Sequence, residues 1–254
     1  MQSNRTKAKL LAGETVVGCF LRYPDASLVE MLGYQGWDFL VFDGEHGTLE
    51  PRDCENMVRS AELRGVTPLV RVTTNQPAVI LRLMDTGAQG AHVPWVNSAS
   101  EAKAAVQSIK YQPLGIRGLA GVRAADYGQG APLAEYIQQA NRETLVVVQV
   151  ETDTAIKHID EIAAVDGVDV IFVGPIDLSH SLGVAGDLKH PDVQAAMDRV
   201  AAALVGAKPA FGIMVSNVSD AHLWRERGAR YITTTVEALL RPAIRSFLQA
   251  FREA

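Results

Sequence analysis

Short apolar runs rich in β-branched residues recur along the whole chain, each followed by a segment with helical periodicity. This alternation constrains the fold more than any other feature. The runs predict strands at 15–20, 38–43, 67–71, 90–93, 145–150, 170–173, 211–214 and 231–233. Between them, Cys54, Met57, Val58 and Ala61 follow the i, i+3, i+4, i+7 spacing of a helix, as do Ala102, Ala105, Val106 and Ile109. Ser98 with Glu101 makes a capping box for one of these helices. Eight βα units in about 250 residues is the count of a (β/α)8 TIM barrel. A doubly wound open sheet, the alternative, would stop earlier and carry a glycine-rich turn after its first strand. At 254 residues, 48% hydrophobic and 21% charged, the chain can bury a large core, and a single barrel domain spanning residues 1–254 is expected.

Two acids then stand out. Glu151 closes the run 145–150, and Asp177 follows 170–173, with a helical stretch at 154–165 between the strands. Strands joined in this way run parallel and side by side, so both carboxylates emerge at one edge. Two close carboxylates repel, and a hard divalent metal is the usual remedy. In a barrel, chemistry collects at the C-terminal ends of the strands. Those positions deliver Asp43, Glu45 and His46 from the second strand, Arg71 from the third, and Gln149 with Glu151 from the fifth. Plainer readings stand beside each: His46 as a solvated or capping residue, Arg71 paired with a carboxylate inside the mouth, Glu151 and Asp177 as helix caps. His92, His158, His180, His190 and His222 share no metal-ligand spacing and read as structural or exposed.

Other features set limits. The net charge of -5 argues against non-specific nucleic-acid binding, and no run approaches the ~20 apolar residues of a membrane span. Residues 1–9 are polar with no cleavable apolar segment after them, so the cytoplasm is the expected location. Cys19 and Cys54 read as reduced core residues. No lysine closes a predicted strand, which argues against a Schiff base. The stretch 111–144, with five glycines, Arg117 and Arg123, is too long for an ordinary connection. It reads either as surface decoration with a short helix at 132–141, or as a loop shaping the active-site mouth or a subunit contact. The last helix carries Leu239, Leu240, Ala243, Ile244, Phe247, Leu248 and Phe251, a stripe broader than one barrel wall needs, which points to a homo-oligomer.

The segments 38–46 (DFLVFDGEH), 70–72 (VRV), 87–90 running into Val93-Pro94, 111–118 (YQPLGIRG) and 174–183 (GPIDLSHSLG) resemble the HpcH/HpaI aldolases, in consistent order from about Gly18 to Ala238. The resemblance implies a metal-dependent (class II) pyruvate aldolase. Its reaction is reversible cleavage of a 4-hydroxy-2-oxo acid to pyruvate, or a close 2-oxo acid, and an aldehyde. It implies Glu151 and Asp177 as ligands of Mg²⁺, Mn²⁺ or Co²⁺, and Arg71 against the donor's keto oxygen. His46 is implied in proton transfer, helped by Asp85. Gln149, Gly174, Pro175 and Ile176 are expected beside the substrate with Arg71 and Asp177, and Ile176 replaces an alanine common in the family. A hexamer is implied. Asp85 lies before the fourth strand, at the barrel end opposite Glu151, so it can meet His46 only across a subunit boundary. Removal of Arg71 is expected to fall on turnover rather than on folding. Two rivals remain: a lyase of citramalyl-CoA type using the same metal site, which lacks its expected basic patch here, and a non-catalytic binding descendant.

Overall fold

In the computed structural model, which describes residues 2–253, eight parallel strands close into one barrel in sequence order. Met1 and Ala254, the two ends of the expected domain, lie outside the described residues. The strands are β1 (Val16–Leu21), β2 (Phe39–Asp43), β3 (Thr67–Arg71), β4 (Gly90–Val93), β5 (Leu145–Val150), β6 (Val170–Val173), β7 (Ala210–Met214) and β8 (Tyr231–Thr235), and β8 pairs back onto β1. The helices are α1 (Arg5–Leu11), α2 (Ala26–Gly33), α3 (Pro51–Leu63), α4 (Pro77–Met84), α5 (Ala99–Ile109), α6 (Leu133–Glu143), α7 (Asp153–Lys157), α8 (Ile159–Ala163), α9 (Pro175–Ser181), α10 (Pro191–Ala203), α11 (Val218–Glu226) and α12 (Val236–Arg252).

Side-chain parity decides what reaches the mouth. Successive residues of a strand point to opposite faces. Phe39, Val41, Leu69, Leu145, Val147, Val170 and Phe172 fill the barrel interior. Their neighbours Leu40, Phe42, Val70, Val146, Val148, Ile171 and Val173 pack outward beneath the helices. Continuing the inward parity past the apolar layers brings Asp43, Arg71, Gln149 and then Glu151 to the C-terminal rim. His92 forms the floor below them. Its Nε2 lies 2.7 Å from the Tyr231 hydroxyl, and the rings of Phe20 and Phe172 meet it edge-on at 5.1 and 5.2 Å. Burial, with Arg71 nearby, holds this imidazole well below its ordinary pKa, so it is a neutral packing group.

Several expectations are corrected. The helical stretch at 154–165 breaks at His158 into α7 and α8. The segment 111–144 does not shape the active-site mouth, because it joins the end of a helix to the start of a strand and so lies at the N-terminal end of the barrel. There Arg117 Nη2 donates to Asp85 Oδ1 at 2.7 Å. Arg123 Nη1 donates to the Thr86 carbonyl at 2.8 Å and its Nη2 pairs with Glu62. The stripe on α12, by contrast, does exceed what the barrel wall needs, since its apolar residues Leu239, Leu240, Ala243, Ile244, Phe247, Leu248 and Phe251 all stay exposed. Val236 is buried at its start, but Phe247 and Phe251 are 72% and 76% exposed. No helix among the described residues is long and apolar enough to cross a membrane.

Candidate active site

Asp43 and Arg71 are register partners on β2 and β3. Arg71 donates from Nε to Asp43 Oδ1 at 2.8 Å and from Nη2 to Oδ2, while Nη1 lies 3.2 Å from Glu45 Oε2. Asp43 also accepts the backbone N–H groups of Glu45 and His46 at 3.0 and 3.2 Å. Burial raises the Asp43 pKa, but the Arg71 guanidinium and those two N–H groups outweigh it and hold the carboxyl below its ordinary value. The arginine is lifted above its own value by Asp43, Glu45 and Glu151, against the burial that lowers it. The plainer reading of Arg71 is thus correct as far as it goes: it has a carboxylate partner inside the mouth. A bidentate pair also fixes the plane of the guanidinium, which leaves its outer N–H groups aimed in a set direction.

Glu151 lies one residue past β5 and is 2% exposed. It is not the cap of α7; Thr152 takes that role, accepting the Ala155 N–H at 3.0 Å. Instead Glu151 Oε1 accepts the backbone N–H of Trp95 at 2.8 Å, and Oε2 lies 3.4 Å from Gln149 Nε2. Trp95 holds φ at +56°, in the left-handed region that non-glycine residues avoid, and its indole N–H reaches Glu45 Oε1 at 3.2 Å. Burial first, and the nearby Asp177 and Glu45 carboxylates after it, push Glu151 up to about 7. Asp177 stands in the first turn of α9. Both acids converge on one point: a methyl group on Gly174 would lie 2.8 Å from Glu151 Oε2 and 3.7 Å from Asp177 Oδ2.

Above them opens a cavity of about 490 Å³. Its walls hold His46, Arg71, Gln149, Gly174, Pro175, Ile176 and Asp177, so the barrel gathers every expected substrate-side residue. Ile176 is 64% exposed at the lip. Asp85 is not among them; it sits at the far end of the barrel on Arg117. No lysine lines the cavity. Lys208 is a surface partner of Asp166. Four residues were not singled out from sequence: Trp95, Arg22, Glu237 and Arg241. Arg22 and Trp95 follow β1 and β4 closely, so the rule that flagged the other strand ends applies to them equally.

The HpcH/HpaI aldolase/citrate lyase family model matches residues 16–240. The chain is 37% identical over 241 residues to a hydroxypyruvate/pyruvate aldolase of Sagittula stellata, covering 94% of each. It is 36% identical over 237 residues to a 4-hydroxy-2-oxo-heptane-1,7-dioate aldolase of Shigella flexneri, covering 93% of this chain and 88% of the relative. Among solved structures, an HpcH/HpaI aldolase/citrate lyase family protein from Burkholderia cenocepacia superposes with a TM-score of 0.93 at 37% identity, over 98% of this chain and 100% of that one.

Proposed function

Because the chain belongs to the HpcH/HpaI aldolase/citrate lyase family and is a carbon–carbon lyase of 2-oxo acids, we propose the residues that carry the reaction and the cation that assists it. The reaction is reversible aldol cleavage of a 4-hydroxy-2-oxo acid to pyruvate, or a close 2-oxo acid, plus an aldehyde. The convergence of the Glu151 and Asp177 carboxylates on one point beside Arg71 is the observation that supports this assignment. Among the described residues, no group of three or more His, Cys, Asp or Glu side chains is arranged to hold a metal ion. Glu151 and Asp177 nevertheless fit one as an open pair of hard oxygen donors, with substrate and water completing the shell. The Gln149 Oε1 atom, buried and without a partner, marks the same corner as polar and unsatisfied. Mg²⁺, Mn²⁺ and Co²⁺ suit such donors.

When bound, the cation supplies Lewis-acid stabilisation of negative charge on the 2-oxo oxygen. Arg71 places a second positive charge there, and its clamp by Asp43 means that no reorientation is needed as charge develops. His46, exposed on the cavity wall, takes the proton of the 4-hydroxyl as the C3–C4 bond breaks and returns it in the reverse direction. Ile176 narrows the lip near the donor methyl group. Asp85 reaches a His46 only in a neighbouring subunit, and the apolar residues of α12 provide the contact for a homo-oligomer, a hexamer by family resemblance.

Exchange of pyruvate methyl protons with solvent deuterium, followed by NMR, tests this reading. Exchange should require a divalent cation and be lost in Glu151→Ala. Exchange at an undiminished rate in excess chelator would refute the cation's role.

A further inference from the structure

The wall of the cavity facing Glu151 and Asp177 carries positive charge that the chemistry at the carboxylate pair does not use. In a closed eight-stranded barrel β5 and β6 lie across from β1. Arg22 follows β1, and Glu237 and Arg241 lie on α12, immediately after β8, the neighbour of β1. All three line the same cavity, together with the apolar side chains of Phe20, Phe172 and Met214.

Neither arginine is saturated. The Arg22 side chain is 42% exposed, and its contacts are long: 3.4 Å from Nε to Asp43 Oδ2 and 3.7 Å from Nη1 to Glu237 Oε1. Asp43 is already committed to Arg71 and two backbone N–H groups. Arg241 is exposed and has no ion-pair or hydrogen-bond partner among the described residues. Between them Glu237 Oε2 is buried and receives no hydrogen bond. A buried carboxylate oxygen without a donor is costly, and a substrate hydroxyl would satisfy it.

We propose that Arg22 and Arg241 select the aldehyde acceptor by binding an oxyanion at its far end, and that Glu237 Oε2 accepts a hydroxyl of the same chain. This rests on the aldolase reading and deepens it. The donor carboxylate belongs at the Glu151–Asp177 end, so the preferred aldol product carries an anionic group at each terminus.

The test compares kcat/KM for aldol addition of pyruvate to 4-oxobutanoate, to 3-oxopropanesulfonate and to the neutral pentanal, using Mn²⁺-loaded protein. Wild type should favour the oxyanion-terminated aldehydes about tenfold or more, the contribution of a charge-assisted hydrogen bond. The better of the two identifies the oxyanion. In Arg241→Met and Arg241→Glu that ratio should collapse toward one. Arg22→Met should behave likewise, with circular dichroism and thermal melting confirming its fold. No preference in wild type, or an undiminished ratio in Arg241→Glu, would overturn the proposal. Pyruvate methyl exchange without acceptor separates the two levels: exchange with no acceptor selectivity sinks this inference alone, and no exchange at all removes the aldolase reading and this inference with it.

Discussion

The backbone N–H of Trp95 points at Glu151 Oε1, 2.8 Å away, because Trp95 is held at φ +56°. A left-handed non-glycine residue costs about 1–3 kcal/mol, so the surrounding barrel sustains strain at the point where it aims a buried carboxylate. Trp95→Gly keeps the N–H and removes the strain, which offsets the lost packing of a side chain already 47% exposed. The variant should melt within a few degrees of wild type and bind Mn²⁺ within a few-fold. A tenfold or greater loss of affinity by calorimetry would show that the indole contact to Glu45, not the backbone, sets the carboxylate.

Glu151→Ala and Asp177→Ala should each stay folded and bind Mn²⁺ poorly, since each removes one of two oxygen donors. Chelated wild type should recover pyruvate release on addition of Mg²⁺, Mn²⁺ or Co²⁺. Full activity in chelator, with borohydride trapping of a pyruvate adduct, would point to a lysine instead.

Arg71 carries a structural burden as well as a chemical one, which corrects the expectation that its loss spares folding. Arg71→Ala strands the buried Asp43 carboxylate, a change that typically costs 3–5 kcal/mol. Turnover should fall about 100- to 1,000-fold. Asp43→Ala/Arg71→Ala should regain part of the stability in urea titrations and none of the turnover. If the double variant is no more stable than Arg71→Ala, the two side chains are not coupled as the geometry requires.

His46→Ala and Asp85→Asn should each be nearly inactive alone, and their co-expression should restore some activity. In mixed oligomers one class of site draws His46 from one variant and Asp85 from the other. Arg117, whose side chain is fully buried against Asp85, holds that carboxylate within its own chain. Verified mixed oligomers without recovery would leave Asp85 as the partner of Arg117 and nothing more.

Lys110 gives a pH signature far from the site. Its ammonium is buried and donates only to neutral acceptors, the Asn141 and Thr144 carbonyls and the Thr144 hydroxyl. Burial first, then Lys7, lowers its pKa to about 7 from 10.5. Between those values the unfolded chain binds a proton that the folded chain does not, so stability from this group rises with pH across the window and is lost as pH falls through about 7. The stability of wild type relative to Lys110→Met should climb between pH 7.5 and 9.5, roughly the span of that window. A flat difference would mean the amine stays charged.

Strand positions were legible because barrel strands are buried on both faces, and a continuous apolar run shows where each one lies; the strands at 67–71, 90–93, 145–150 and 170–173 fall on their observed bounds. The rim residues were legible for the related reason that Asp43, Arg71 and Glu151 interrupt those runs. The break at His158 was not, since Ala155, Ile159 and Ile162 stay buried on both sides of it. The placement of 111–144 was missed although its position between a helix and a strand contains the answer. Arg241 was hidden within an apolar helical stripe, and the left-handed backbone of Trp95 leaves no mark in residue type.

Gly174 separates the survival of the barrel from the survival of the site. A methyl group there would meet the movable end of Glu151, not backbone, so the fold could absorb it by letting the carboxylate swing away. A glycine-to-alanine change at this one codon should therefore leave folding largely intact. A related chain with alanine here would still be recognised as the same architecture by every global measure, while having given up the arrangement of acids that the architecture displays.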